Sequence, residues 1–414
     1  MRRFFLAAAV ALLAFLTGPA QAVVTPADGA VVSPRPVPWT PHVLDGEVRA
    51  MALVGDTVVV GGDFTGVTDS SGDRYHERWY LFAFRLGTGE VLDLAPVLDG
   101  PVLALEPGPD GTVYVGGRFR TVAGRARHGL TRIDLRTGLP SKGFQPALTA
   151  GDVRTLATAG GKLYIGGTFE RIGEAERLGL ARLDLNTGAL DPDFDPQLAA
   201  PQLGRVKVED LAVSPRGDRL LAIGVITQAM GHHRVQAAMF DLTRATLADW
   251  WTNAFNHPCR TGFDTWLRAA DFSPGGDYVV IVTTGQSNQP HLLCDTASRF
   301  ETYVTGEVKP TWVNHTGGDS LYAVEATGGA VYVGGHQRWL DNPLGSEHPG
   351  PGAVARNGLG AIDPVSGRAN DWNPGRARGV GVRAFLTTRR GLLVGSDTDE
   401  LAGEYHGRIG LFPY

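Results

Sequence analysis

Apolar residues in this chain fall in short runs broken by glycine-bearing turns, and the runs recur. An opening run reads Val48-Arg-Ala-Met-Ala-Leu53 and returns as Val102-Leu-Ala-Leu105, Val153-Arg-Thr-Leu-Ala157 and Val208-Glu-Asp-Leu-Ala-Val213. It appears again as Leu267-Arg-Ala-Ala-Asp-Phe272, Leu321-Tyr-Ala-Val324 and Val382-Arg-Ala-Phe-Leu386, with starts spaced 54, 51, 55, 59, 54 and 61 residues apart. A turn such as Gly108-Pro-Asp-Gly111 follows, then a second run ending in glycine, as in Val58-Val-Val-Gly-Gly62 and Val113-Tyr-Val-Gly-Gly117. A third run, Gly179-Leu-Ala-Arg-Leu-Asp184 or Gly358-Leu-Gly-Ala-Ile-Asp363, leads into a Thr-Gly or Ser-Gly turn. A fourth ends near Leu94, Phe144, Phe194, Trp251, Trp312 or Trp372. Runs this short, rich in Val, Leu, Ile and Tyr and bounded by turn residues, predict strands. Four strands per unit at this period predict propeller blades.

The ends are asymmetric. The seventh unit supplies three strands and stops at Tyr414, and Val37-Pro-Trp39-Thr-Pro41 matches the missing fourth. The predicted fold class is therefore all-β: a seven-bladed β-propeller closed by an N-terminal strand that completes the last blade. Closure removes the free sheet edges that an open solenoid would have to cap.

Residues 1–22 read as a secretory signal peptide: Arg2 and Arg3, an apolar run from Phe4 to Leu16, and the small-residue site Ala20-Gln21-Ala22. Residues 23–36 form an N-terminal extension, and 37–414 a single propeller domain. The 392 residues after the signal give 56 for each of seven units. Export places Cys259 and Cys294 in an oxidising compartment, where a disulfide between them is expected. Gly and Pro number 56 and 26, and the net charge is −5, which argues against nucleic-acid binding. No run is long enough to span a membrane. The expected partner is a protein or carbohydrate, with the chain a monomer.

The stretches Tyr164-Ile-Gly-Gly-Thr-Phe169, Gly179-Leu-Ala-Arg-Leu-Asp184, Thr187-Gly188 and Asp191-Pro-Asp-Phe-Asp-Pro196 resemble the delta-60 repeat of bacterial propeller-like proteins. Leu293 to Glu301, Gly334 to Trp339 and Gly395 to Asp399 are similar to segments of secreted actinobacterial members. The resemblance covers most of residues 48–414 and implies the fold, with no common activity attached to it.

In this strand order the loops joining second to third strands share a face with the interblade loops, and all eleven histidines fall there. Blades four to six concentrate histidines, both cysteines and the longest loop. The ligand-binding candidates on this face are His315, His336, Arg338, Trp339 and Asp397. A second set, Arg49, Arg154, Arg268 and Arg383, occupies the second position of four inner strands. It is suited either to a carboxylate, sulfate or phosphate, or to ion pairs between blades. No cofactor is expected. Zinc on loop histidines with Asp264, Asp295 or Asp319 is one alternative, and calcium on Asp191, Asp193 and Asp195 or on Asp397 and Asp399 another, though regular ligand spacing is absent. The favoured function is a secreted binding or scaffold module with its ligand near blades four to six. The competing one is a glycan hydrolase or lyase drawing on Tyr75, Tyr405, His336 and Arg338.

Overall fold

The computed structural model describes residues 29–286 and 289–414, so the predicted signal peptide lies outside the described residues. The described chain is strands and turns without a helix. Seven antiparallel sheets repeat one order, inner strand to second to third. The first is Val48–Val54, Thr57–Gly62 and Leu81–Arg85; the last is Ala384–Thr388, Gly391–Gly395 and Ile409–Pro413. The fourth strand is shorter than its sequence signal. It is a regular ladder only in the fourth and fifth sheets, as Thr246–Leu247 and Trp312–His315. Elsewhere it shrinks to single bridges such as Phe84 with Val91 and Ile133 with Pro140. Proline lacks the N–H that a ladder needs, and these outer segments are proline-rich.

Both glycines of the repeated Gly-Gly pair are forced by close approach. At the first, the following sheet's opening valine lies directly on the backbone: Val102 on Gly61, Val153 on Gly116, Val208 on Gly166 and Val382 on Gly334. The same contact joins the last sheet to the first, with Val48 on Gly395. At the second glycine, the carbonyl preceding the inner strand fills the space a Cβ would need, as Glu47 O does at Gly62 and Asp152 O at Gly167. All seven inner strands line one cavity of about 210 Å³, through Met51, Leu105, Leu156, Leu211, Ala269, Val324 and Phe385 among others.

The N-terminal segment runs along the last strand. Ser33 N–H donates to Pro413 O (2.6 Å), Val37 N–H to Leu411 O (2.8 Å) and Thr40 Oγ1 to Ile409 O (3.3 Å). These bonds begin at Ser33, within the stretch expected to be an extension. With prolines at 34, 36 and 38 the segment is extended without being a regular strand.

Cys259 and Cys294 form a disulfide, Cα–Cα 5.6 Å, tying the loop before the fifth sheet to that sheet's second-to-third loop. Register places Gly285 where other sheets bury Phe64, Phe119 and Phe169, and both cysteines stand against Gly285. The bridge occupies the volume left by the missing ring.

Candidate functional site

Inner strands carry a β-bulge one residue in from their start. The register slips between Val48 and Ala50, Val102 and Ala104, Val153 and Thr155, Val208 and Asp210, Leu267 and Ala269, and Leu321 and Ala323. The skipped residues are Arg49, Leu103, Arg154, Glu209, Arg268 and Tyr322, and Arg383 holds the matching position in the last sheet. A bulge re-aims a side chain out of the ladder. Here it gathers four arginines around two carboxylates. Glu47 pairs with Arg49 and with Arg383 (2.9 Å), and Glu209 with Arg154 (3.0 Å), Lys207 and Arg268 (3.8 Å). Burial raises the Glu209 carboxyl, but the cations around it outweigh that and hold it below its usual value. Of the two roles open to these arginines, the structure contains the ion pairs between sheets.

Tyr322 links this ring to the loop face: the Arg383 guanidinium lies over its ring at 4.3 Å, and the His336 imidazole meets it edge-on at 5.7 Å. Beyond His336 opens a pocket of about 250 Å³ at the seam of the sixth and seventh sheets. Its walls are His336, Gln337 and Arg338 from one loop, Asn357 and Gly358 from the entry to the third strand, and Arg376, Ala377 and Arg378 from the interblade loop.

Each wall residue has a local cause. His336 stands where the first and last sheets have Asp63 and Asp397, which accept backbone N–H groups from Glu47 and from Val380 and Gly381. The imidazole does the same work: Ser320 N–H donates to Nε2 (3.3 Å), leaving Nδ1–H to donate to Val380 O (3.0 Å). Both ring nitrogens are thereby engaged by the backbone. The residue entering every third strand is left-handed: Tyr80, Gly129, Gly179, Gln236, Asp295, Gly358 and Arg408. At Gly358 the missing side chain lets Arg376 lie across the backbone, where a Cβ would be 2.5 Å from Arg376 Cγ. The buried Arg376 guanidinium then donates to Asp397 Oδ1 (3.1 Å), Thr398 Oγ1 (2.7 Å) and Gly335 O (3.1 Å). Arg338 grips the buried Asp319 with Nε (2.8 Å) and Nη2 (3.0 Å), and this bidentate bond raises its already high pKa. Among the described residues Arg378 is held only by a 3.8 Å ion pair to Asp319.

Gln337 is the exception. It is 1% exposed, and among the described residues neither Nε2 nor Oε1 has a hydrogen-bond partner. Register puts it at the position of Phe64, Phe119 and Phe169. A buried amide without partners is disfavoured by roughly 1–3 kcal/mol, where the repeat's own phenylalanine would be satisfied.

The sequence-derived candidates therefore divide. His336 and Arg338 line the pocket, and Asp397 fixes Arg376 behind it. Trp339 flanks it with the Arg338 guanidinium 4.5 Å over its ring. His315 lies apart in the strand Trp312–His315, where burial lowers its pKa to about 4. Tyr405 lies at another seam, its ring 4.8 Å from that of His42, and Tyr75 pairs with Thr68, which is itself paired with His42. Asp264 is bonded to Arg205, Asp191 to Lys162 (2.7 Å) and Arg182 (3.1 Å), and Asp195 to Arg177 (3.3 Å). Among the described residues no three His, Cys, Asp or Glu side chains are grouped to hold a metal ion. Gln337, Asn357, Arg376 and Arg378 were not singled out from the sequence. Aligning the Gly-Gly-x-Phe signature across units would have marked Gln337.

Residues 161–194 match a family model described as a domain of unknown function (DUF5122) beta-propeller. The matched stretch is the second and third strands of the third sheet and the outer segment through Phe194. It indicates a β-propeller domain in an all-β chain. Among curated proteins none matches this chain. No helix of the described residues is long and apolar enough to cross a membrane.

Proposed function

We propose that this chain is an exported binding module. In this reading it is a closed seven-bladed β-propeller that holds a small ligand in the loop-face pocket between blades six and seven. Ring closure is supported by the Val48 contact on Gly395, the Arg383–Glu47 pair, and the bonds from Ser33 and Val37 to the last strand. Export is supported by the signal-like pattern in residues 1–22 and by the disulfide. The observation that carries the binding reading is Gln337, a polar side chain without partners at a position the repeat fills with phenylalanine. An unsatisfied buried group in a native fold calls for an explanation, and here it faces a pocket.

The pocket suits binding better than catalysis. The two carboxylates behind it, Asp319 and Asp397, are each committed to arginine, and both ring nitrogens of His336 are engaged by the backbone. The test is a thermal-shift screen of the exported protein against small anions and sugars, repeated on Arg378→Glu. A ligand of this pocket raises the melting temperature of the parent and not of the variant. A hit that stabilises both proteins equally places the ligand elsewhere.

A further inference from the structure

The pocket's charge and hydrogen-bonding capacity narrow what it can hold. Of the arginines in the wall and the carboxylates bonded to them, Arg338, Arg376 and Arg378 are positive and Asp319 and Asp397 negative. One positive charge is left over. Arg338 is paired with Asp319, and the two terminal nitrogens of Arg376 are bonded to the Asp397 loop and to Gly335 O, its Nε being without a partner among the described residues; the surplus is assigned to Arg378, 62% exposed. Gln337 offers a different demand: an NH2 donor group and a carbonyl acceptor, side by side in a plane, both unmet among the described residues. Acetate, with no proton to donate, answers the Nε2 donor but leaves Oε1 without a partner, whereas inorganic phosphate keeps a P–OH near neutral pH but sets it tetrahedrally about phosphorus. A ligand that satisfies both in the plane of the amide needs an N–H next to an anionic oxygen.

Resting on the pocket reading above, we propose that the ligand is an N-acylated amino acid bearing a free carboxylate, as found at the C-terminal end of a peptide. In an extended residue the N–H and the carboxyl oxygen of that same residue point to one side, the arrangement that lets strands pair. A primary carboxamide matches that edge: Oε1 of Gln337 accepts the ligand N–H, and Nε2 donates to the carboxylate. Arg378 supplies the opposite charge, and binding turns its long side chain outward from Asp319, opening the way to the buried amide. Capture of a terminal carboxylate is a recurring mode of peptide recognition. A pocket of about 250 Å³ fits one terminal residue rather than a drug-sized ligand, whose sites run from roughly 300 Å³ upward.

The experiment is titration calorimetry of the whole exported protein with N-acetylglycine, N-acetylglycinamide, acetate, inorganic phosphate and triglycine. N-acetylglycine and triglycine are expected to bind at least tenfold more tightly than acetate, phosphate or the uncharged amide. Tighter binding of triglycine than of N-acetylglycine identifies a chain end as the source, and equal binding a free N-acyl amino acid. Gln337→Phe, which restores the residue of the repeat, should melt at or above the parent temperature while losing about ten- to a hundredfold in affinity, as expected for two lost hydrogen bonds. If acetate or phosphate binds as well as N-acetylglycine and Gln337→Phe leaves this unchanged, the pocket takes anions and the amide assignment is overturned. If no probe binds the parent protein, the pocket reading falls with it, and Gln337 is an internal packing fault relieved by phenylalanine.

Discussion

A methyl group at position 358 would meet Arg376, whereas one at position 55 would meet nothing, and both backbones are left-handed, with φ of +71° and +64°. The pair separates conformational strain from lost space. Gly55→Ala should destabilise by about 1 kcal/mol, the cost of an alanine in that region. Gly358→Ala carries the same strain plus overlap with Arg376 Cγ and should lose about 3 kcal/mol. Denaturant midpoints at equal slope read the difference directly. Equal losses would mean that Arg376 is not held across Gly358. The same residue shows what a lone sequence conceals. His336 and Arg338 stood out because their types carry chemistry, yet His336 turns out to do the capping that Asp63 and Asp397 do elsewhere. Gln337 passed unnoticed because its significance lies in the phenylalanine it replaces and in partners it lacks, neither of which a residue type announces.

Inner strands were legible because their apolar runs recur at a steady period and end in glycine. What the runs did not reveal is the bulge that releases Arg49, Arg154, Glu209 and Arg268 from the ladder, since a slipped register leaves no mark on hydrophobic pattern. Outer strands erred the other way: aromatic ends such as Phe144 and Phe194 are buried anchors, and the proline around them limits pairing to single bridges. The fifth sheet departs furthest from the repeat, with Gly285 in the aromatic position and the disulfide packed against it. Its bridge spans a sequence separation of 35 residues. Replacing both cysteines by alanine should cost about 3–4 kcal/mol on loop-closure entropy, with some further loss from the vacated volume beside Gly285. The urea midpoint of the double variant, against the parent with and without reductant, tests this. A variant as stable as the oxidised parent would show the bridge to be dispensable for that sheet.

At the scale of the whole molecule, two further sets of contacts each make a prediction. The first is the N-terminal segment. Val37→Pro removes the N–H bonded to Leu411 O and disturbs a buried side chain, so a ring completed there should lose about 3 kcal/mol and become sensitive to proteolysis at residues 29–40. An unchanged melting temperature would argue that the last sheet holds without it. The second is a series of half-buried carboxyls on inner strands, each bonded to the next sheet: Glu106 to Thr158 Oγ1 (2.6 Å), Asp210 to Ala270 N (3.0 Å), Asp271 to Ala326 N (2.7 Å) and Glu325 to Thr387 N (2.9 Å). Burial pushes Glu106 up to about 7 and Asp210 to about 6, and burial also raises Asp271 and Glu325. A carboxyl whose pKa is higher folded than unfolded favours the fold while protonated. For Glu106 that advantage is complete below its unfolded pKa of roughly 4.5 and is lost as pH rises to about 7, beyond which the deficit is constant. Glu106→Gln keeps an acceptor for Thr158 and cannot ionise. Relative to the parent it should therefore gain about 2–3 kcal/mol between pH 5 and pH 8, read from paired urea melts at each pH. Taking the difference between the two proteins cancels the surface aspartates, such as Asp184 and Asp363, whose lowered pKa values make the parent lose stability toward acid instead. A difference that stays flat from pH 5 to pH 8 would mean that Glu106 is already ionised inside the ring. Its bond to Thr158 would then have to be read as a charged staple between the second and third sheets.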